Sequence, residues 1–477
     1  MKELKMFIDG KFVENTTGKW INVLNPSTEE VISLMPEGTV DDVKTAIDAA
    51  EKAQGAWERT PAVERASYLI KMAAGIRKRE KELTDIIVRE GGKTQGLANV
   101  EVLFTADYLE YMAGWARRYE GEIIQSDRPR ETIMLFKKPI GVTTGILPWN
   151  FPFFLIARKA APALVTGNTI VVKPSQVTPE NAYVFAQIVE ETGLPAGVFN
   201  LVMGRGSVIG SELAANPKVG MVSLTGSVGA GQQTMAAAAP NVTKVSLELG
   251  GKAPAIVMAD ADLDLAVKSI IASRVINTGQ VCNCAERVYV DKKVKALFME
   301  KLVAGMKAVK VGNPNEVADL DMGPLVEANA LKSIEEKVQK AISQGCTLVC
   351  GGKRIGTKGY FFEPTILDNA TQKMDIIQEE TFGPVLPVVE YETVDQAIEW
   401  ANDCEYGLTS SVYTQNLDAA FKLMRSLKFG ETYINRENFE AMQGFHAGWR
   451  KSGIGGADGK HGLEEYLQTH VVYLETK

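Results

Sequence analysis

The sequence predicts an α/β protein centred on a doubly wound parallel sheet, and three observations carry that expectation. Between Gly141 and Leu249 short apolar runs at 142–147, 169–172, 198–202 and 219–224 alternate with helix signals, which is the rhythm of βαβ units. Each run stops at glycine, proline or polar residues: Pro148-Trp149-Asn150, Lys173-Pro174-Ser175, Gly204-Arg205-Gly206 and Thr225-Gly226-Ser227. Open parallel sheets gather ligands at that carboxyl edge, so these loops are expected to meet at one crevice. The 477 residues exceed what one core holds, so two large domains with a small appendage are expected.

In chain order, Met6-Phe7-Ile8-Asp9-Gly10-Lys11-Phe12-Val13 reads as a hairpin, because Asp-Gly supplies the positive φ angles of a tight turn. Thr39 is placed to cap a helix with Val43, Ile47 and Ala50 on its apolar face. Thr60-Pro61 sets a cap before a first-turn proline for a helix reaching Ile76. A third helical stretch runs from Leu97 towards Arg118. Residues 119–139, with Ile123-Ile124, a polar turn at Asp127-Arg128-Pro129 and the run 132–136, read as two strands standing off the main body. Such a ribbon is marginal alone, so self-association as a dimer or tetramer is expected. The helices of the βαβ tract start at Pro152, Thr178-Pro179 and Ser207. Beyond Gly250 a second αβ set follows: a strand at 255–257, a helix at 262–277, a strand at 287–290, and further alternation to Tyr433-Ile434-Asn435. A last strand lies at 471–474.

Composition narrows the function classes. Apolar residues at 45% against charged residues at 23% are the balance of a soluble globular chain. A net charge of −7 disfavours a phosphate-backbone binder, so no nucleic-acid partner is expected. The N-terminal segment lacks the apolar core of an export signal, and the most apolar segment, 151–165, is broken by Arg158 and Lys159; no membrane span is expected. Five cysteines without framework spacing argue for reduced thiols and a cytoplasmic setting. Cys282-x-Cys284 and Cys346-x-x-x-Cys350 lack the two-residue spacing of zinc sites, and the three histidines, His446, His461 and His470, all lie late in the chain. No metal is expected, and a general base should be a carboxylate.

Asn277-Thr278-Gly279-Gln280-Val281-Cys282-Asn283-Cys284 sets a cysteine in a small, polar, glycine-marked stretch after a helical run, as a candidate nucleophile or an inert half-buried thiol. Glu248 stands between Leu247 and Leu249, before Gly250-Gly251. Desolvation there is expected to favour its neutral form and lift its pKa towards the range of a useful base; a structural glutamate is the alternative. Gly204-x-Gly206-x-x-x-Gly210, and Gly226-Ser227 with Gly229 and Gly231, put glycine between strand and helix. There backbone NH groups either hold a phosphate or merely turn the chain.

Together these residues resemble the NAD(P)-dependent aldehyde dehydrogenase superfamily over essentially the whole chain. Seven motifs in the family's order carry the resemblance: Pro148-Trp149-Asn150-Phe151-Pro152, Lys173-Pro174-Ser175, Gly226-Ser227, Leu247-Glu248-Leu249-Gly250-Gly251, Gly279-Gln280-Val281-Cys282, Glu380-Thr381-Phe382-Gly383-Pro384 and Lys451-Ser452-Gly453. The resemblance implies a Rossmann-type cofactor-binding domain at 1–118 and 140–249, a second α/β catalytic domain at 250–462, and a small β oligomerisation ribbon at 119–139 and 463–477. It implies Cys282 as nucleophile, Glu248 as base and Asn150 as oxyanion donor. Lys173 would hold the adenosine ribose, Ser227 the pyrophosphate, and Glu380 with Phe382 the nicotinamide half of NAD. Trp149, Ser175, Gln176, Gly206 and Gly226 would be further cofactor contacts. A water-activating Glu248 speaks against the CoA-acylating branch and implies a free acid as product.

Three departures refine the expectation. Where relatives acting on apolar aldehydes place aromatics, this chain has Arg158, Glu440 and His446, with Asn283 after the nucleophile and Phe151 nearby. Four polar groups point to hydroxyl recognition, hence to a small α-hydroxyaldehyde such as lactaldehyde or glycolaldehyde, unless Arg158 and Glu440 simply pair. A semialdehyde substrate, with Arg158 or His446 on a distal carboxylate, is the enzymatic alternative; a non-catalytic protein retaining the fold is the alternative of another class. Gln176 replaces a frequent Glu, removing repulsion of a 2′-phosphate, so NADP is expected to be tolerated. Gly455-Gly456-Ala457 stands where relatives often have Arg-Glu, and the sequence offers no account of it.

Overall fold

The βαβ tract forms one eight-stranded sheet in the computed structural model, which describes residues 1–477. Its order is Gly453–Ile454, Lys244–Glu248, Val219–Thr225, Val142–Ile146, Thr169–Lys173, Phe199–Leu201, Met6–Ile8 and Lys11–Val13. The five strands from Lys244–Glu248 to Phe199–Leu201 are parallel, and the flanking strands are antiparallel. Winding proceeds from Val142–Ile146 to one side through Thr169–Lys173, then returns to the other through Val219–Thr225. The reversal opens a crevice at the carboxyl ends of those strands.

The second αβ set makes a seven-stranded sheet, ordered Thr347–Cys350, Thr365–Asp368, Val385–Tyr391, Ala285–Asp291, Ala253–Val257, Thr409–Tyr413 and Glu431–Ile434. All its pairs are parallel except the first. Alternate residues of one strand serve different cores: Ile256 packs with Tyr289 and Val412 on one face, Ala255 and Val257 with Val288 on the other. That double burial explains why these strands read as unbroken apolar runs.

The local signals were largely realised. Asp9 (φ 50°) and Gly10 (φ 74°) make the first turn. Thr39 and Asp42 form a reciprocal capping box on the helix Val40–Arg59. Thr60 closes that helix rather than capping the next, and Pro61 takes the cap position of Ala62–Lys78. The helix Glu80–Gly91 was not anticipated. The third expected stretch is the helix Gln95–Ala113, prolonged by the tighter turn Gly114–Arg117. The ribbon strands Glu122–Gln125 and Glu131–Pro139 pair with the chain's own Leu467–Glu475 in a three-stranded antiparallel sheet. No helix is long and apolar enough to cross a membrane.

Candidate active site

Adjacent parallel strands deliver Asn150, Lys173, Thr225 and Glu248 to one edge of the first sheet. The linker Leu249–Lys252 then crosses to the second sheet. Cys282 stands just before its strand Ala285–Asp291, so the crevice has one wall from each sheet. Asn150, Glu248 and Cys282 line one cavity there, together with Phe151, Arg158, Asn283 and Glu440 and an apolar remainder that includes Phe104, Phe154 and Phe439. Its volume is about 60 Å³, space for roughly four waters, which suits a molecule of two or three carbons.

The cysteine loop is held in a costly conformation. The helix expected to reach Asn277 ends at Val275, because Asn277 (φ 46°) and Thr278 (φ 60°) are left-handed. Gly279 follows at φ 72°, and a Cβ there would meet Gly383 O at 2.4 Å. Two such non-glycine residues, one β-branched, persist only where surroundings over-determine them. Here Asn277 Nδ2 donates to Asn150 O (3.1 Å), Thr278 Oγ1 to Gly323 O (3.0 Å), Arg274 Nη2 to Gly279 O (2.7 Å), and Val326 N to Gln280 Oε1 (2.9 Å). Asn150 Nδ2 in turn donates to Gln280 O at 3.0 Å, two residues before Cys282.

The two cysteines of the loop differ sharply. Cys282 is half-buried on the cavity wall, whereas Cys284 is buried with its thiol donating to Val281 O at 2.9 Å. Burial pushes the Cys284 pKa up to about 12, which disqualifies it as a nucleophile.

Glu248 departs from the expectation of a raised pKa. Burial does oppose its charge, but Arg158 (3.8 Å), Lys159 and His446, with a hydrogen bond from Thr225 Oγ1 (2.9 Å), outweigh burial and hold the carboxyl below its ordinary value. Lys159 supports Thr225 by donating to its Oγ1 at 3.0 Å. A flanking pair of leucines could not reveal three cations from the helix Pro152–Thr166 and the late loops.

The polar pocket also differs from its sequence reading. Arg158 reaches the cavity, yet its Nε donates to Asp458 Oδ1 (3.0 Å) and its Nη2 to Glu440 Oε1 (3.1 Å), with a second bond to Asp458 Oδ2. It is an internally paired guanidinium rather than a free cation. Glu440 also accepts from Asn283 Nδ2, giving a connected array Asp458, Arg158, Glu440, Asn283. His446 lies off the cavity wall, with Nδ1 against Glu431. Asp458 was missed, although it directly follows the unexplained Gly455-Gly456-Ala457. A Cβ at Gly456 would stand 2.7 Å from His446 O, and Ala457 exchanges two 2.9 Å backbone bonds with His446. Small residues there let the backbone hold His446 and Asp458 close.

On the cofactor side, Lys173 is buried and its ammonium donates to Pro174 O (3.0 Å); burial lowers its pKa to about 8. Ser175 Oγ accepts from Val177 N (3.2 Å), and Gln176 is half-exposed beside it. Ser227 caps the helix Val228–Ala238 by accepting from Ala230 N (3.2 Å), a helix with no acidic residue in its first turn. Gly226 N donates to Glu248 O, while Gly206 opens a helix of only four residues. Trp149 and Phe382 meet edge to face across the crevice, their centroids 5.5 Å apart. Glu380 turns inward to accept from Gly251 N (2.8 Å); burial first, then the neighbouring Glu286, raises its pKa to about 7. Glu286, which sequence reading also missed, accepts from Lys252, Arg274, Thr381 N and Phe382 N, tying the strand after Cys282 to the Glu380–Phe382 segment. No group of three or more His, Cys, Asp or Glu residues is placed to hold a metal ion.

Comparison with known proteins gives a consistent picture. Residues 12–472 match the aldehyde dehydrogenase family. The chain is 66% identical to the lactaldehyde dehydrogenase of Escherichia coli over 99% of its length and 98% of that protein's. A crystal structure of that enzyme superposes with a TM-score of 0.99 at 65% identity, covering 99% of both chains. The D-glyceraldehyde dehydrogenase (NADP+) of Picrophilus torridus is 38% identical over 99% of this chain and 96% of its own.

Proposed function

The chain belongs to the aldehyde dehydrogenase family, and from that premise we propose that it oxidises a small α-hydroxyaldehyde, lactaldehyde or glycolaldehyde, to the hydroxy acid with NAD+. The observation that carries this reading is the cavity of about 60 Å³ in which Cys282, Glu248 and Asn150 face the Arg158–Glu440–Asn283 array. Although its members already bond to one another, the array keeps a second Asn283 Nδ2 hydrogen and further Glu440 lone pairs, with which a hydroxyl can bond and an apolar substrate cannot. The 66% identity to a lactaldehyde dehydrogenase supports the same substrate class. A semialdehyde is disfavoured, because Arg158 is already neutralised by Asp458 and Glu440 and offers no free charge to a distal carboxylate.

In this reading the Cys282 sulfur bonds to the carbonyl carbon and negative charge gathers on the aldehyde oxygen. Asn150 Nδ2 donates to that oxygen, a contribution of about 3 kcal/mol for one oxyanion donor. A bound nicotinamide dinucleotide would accept the hydride that the carbonyl carbon loses as its C=O bond re-forms, which leaves a thioester on Cys282. Water then cleaves the thioester on Cys282 and gives its proton to Glu248, a role worth roughly 10² to 10⁴ in rate. Arg158, Lys159 and Thr225 keep Glu248 ionised and therefore able to accept that proton.

The residues present fit such a dinucleotide. The buried Lys173 ammonium has two donor hydrogens to spare for ribose hydroxyls beyond its bond to Pro174 O, and the Ser227-capped helix offers its amino end to a pyrophosphate. Gln176 adds no charge against a 2′-phosphate, so NADP is accepted as well. The reading includes a cytoplasmic setting, in keeping with five unpaired cysteines, and self-association through the three-stranded sheet, on which Ile123 is 80% and Tyr473 66% exposed.

NADH formation tests the substrate class. The kcat/KM for lactaldehyde and glycolaldehyde is expected to exceed that for propanal and succinic semialdehyde by about tenfold or more. Equal turnover of propanal would overturn the polar-pocket argument.

A further inference from the structure

Outside the cavity lining lies a buried charged cluster that the reaction above does not employ: Lys252, Arg274 and Glu286, with side chains no more than 1% exposed. Glu286 Oε1 accepts from Arg274 Nη1 (2.8 Å) and Phe382 N (3.0 Å), and its Oε2 from Lys252 Nζ (2.8 Å) and Thr381 N (2.8 Å). The carboxylate is thereby saturated with donors. Arg274 carries the connection onward, because its Nη2 donates to Gly279 O (2.7 Å) in the turn before Cys282. Lys252 closes the other end by donating to Thr381 Oγ1 (3.0 Å), and its carbonyl accepts from Arg287 Nε (3.0 Å).

Each end of this connection is a backbone conformation that needs holding. Gly279 ends the left-handed run 277–279, and Phe382 is itself left-handed at φ 54°. A bulky residue in that region persists only where its surroundings fix it. Glu286 fixes Phe382 through its amide and the cysteine turn through Arg274. The two ends also lie against each other, since a Cβ on Gly279 would stand 2.4 Å from Gly383 O, next to Phe382.

We propose that Arg274 and Glu286 are positioning residues that set the register between the cysteine turn and the segment 380–382, and with it the placement of Cys282 against the nicotinamide half of a bound dinucleotide. The inference rests on the reading above, in which Cys282 is the nucleophile and Glu380 with Phe382 hold that half. Misplacing reacting groups by 1 Å costs about 10² in rate, so a lost register is felt at hydride transfer before it is felt in binding. Buried charge governs the choice of variants. Removing Glu286 alone strands two cations, which is strongly destabilising. Arg274→Met with Glu286→Gln takes away one charge of each sign and leaves the net charge unchanged. Arg274→Lys keeps every charge but gives up the planar fork that reaches Gly279 O and Glu286 together.

Two measurements test the register. Amide hydrogen exchange, read by mass spectrometry on the protein without aldehyde or dinucleotide, shows whether the two ends are joined. Arg274→Lys is expected to quicken exchange in both 276–283 and 380–383. Thr381→Val, which removes the bond from Lys252 at the far end, is expected to quicken it in 276–283 as well. In stopped flow with saturating NAD+ and lactaldehyde, the burst of NADH is expected to slow by about tenfold or more in the paired variant and by less in Arg274→Lys, with the Kd for NADH little changed. Exchange raised at one end only would overturn the proposal. So would a raised Kd with an unaltered burst at saturation, because Glu286 would then serve dinucleotide binding alone. If the paired variant does not fold, Arg274→Lys and Thr381→Val decide by the same two readings. Full turnover by Cys282→Ala would overturn both the register and the reading beneath it. Absence of hydroxyaldehyde turnover in the unaltered enzyme would sink the proposed substrate, while hydrogen exchange would still judge the register.

Discussion

Glu248 shows how little a single residue's neighbours in sequence say about its charge. Between two leucines it reads as a carboxyl on its way to neutrality. In space it faces Arg158, Lys159 and Thr225, which arrive from another helix and strand and keep it ionised. The consequence for turnover is specific. Glu248→Gln removes the proposed proton acceptor but leaves Cys282 and Asn150, so the enzyme should release one equivalent of NADH in a burst and then fall by about 10² or more in steady rate. Stopped-flow absorbance of NADH reads both phases, and undiminished steady turnover would remove Glu248 from the role of base. The same limit of local reading applies to Arg158 and Asp458, 300 positions apart. Residue type announced a polar pocket, but which charges cancel inside it is a property of tertiary structure.

Elements were far more legible, because their signals are local. The Asp9-Gly10 turn, the Thr39 cap and the four apolar runs of the first sheet lie within a few residues of the places they predict. The helix before Cys282 was the informative miss. Its apolar pattern continues to Asn277, yet the chain leaves the helix at Val275 because distant groups hold Asn277, Thr278 and Gly279 left-handed. This turn is therefore where a minimal change should act most strongly. Gly279→Ala places a Cβ within 2.4 Å of Gly383 O at a φ of 72°. Loss of more than about 1 kcal/mol of stability is expected, with activity falling further because the Cys282 loop must shift. Thermal unfolding and NADH assays measure the two separately; a wild-type melting point with wild-type activity would show that the turn tolerates relaxation.

For the molecule as a whole, the two sheets contribute unlike halves of one site, and the linker Leu249–Lys252 joins them directly after Glu248. The third sheet stands apart from that chemistry. Its strands Glu131–Pro139 and Leu467–Glu475 keep Val471, Tyr473 and Leu474 exposed, a hydrophobic patch proposed above as the surface of self-association. Tyr473→Glu combined with Ile123→Glu is expected to lower the mass seen by sedimentation to that of one chain; an unchanged assembly would move the interface elsewhere. The turn at 277–279 carries a further consequence, one for transplantation. Its supports come from Asn150, Arg274, Gly323, Val326 and Gly383, scattered over more than 230 positions of the chain. Grafted alone onto a foreign scaffold, the segment around Cys282 would relax to ordinary backbone and carry a cysteine without its reactivity. The proposed nucleophile is not a motif that can be moved but a position that the rest of the fold specifies.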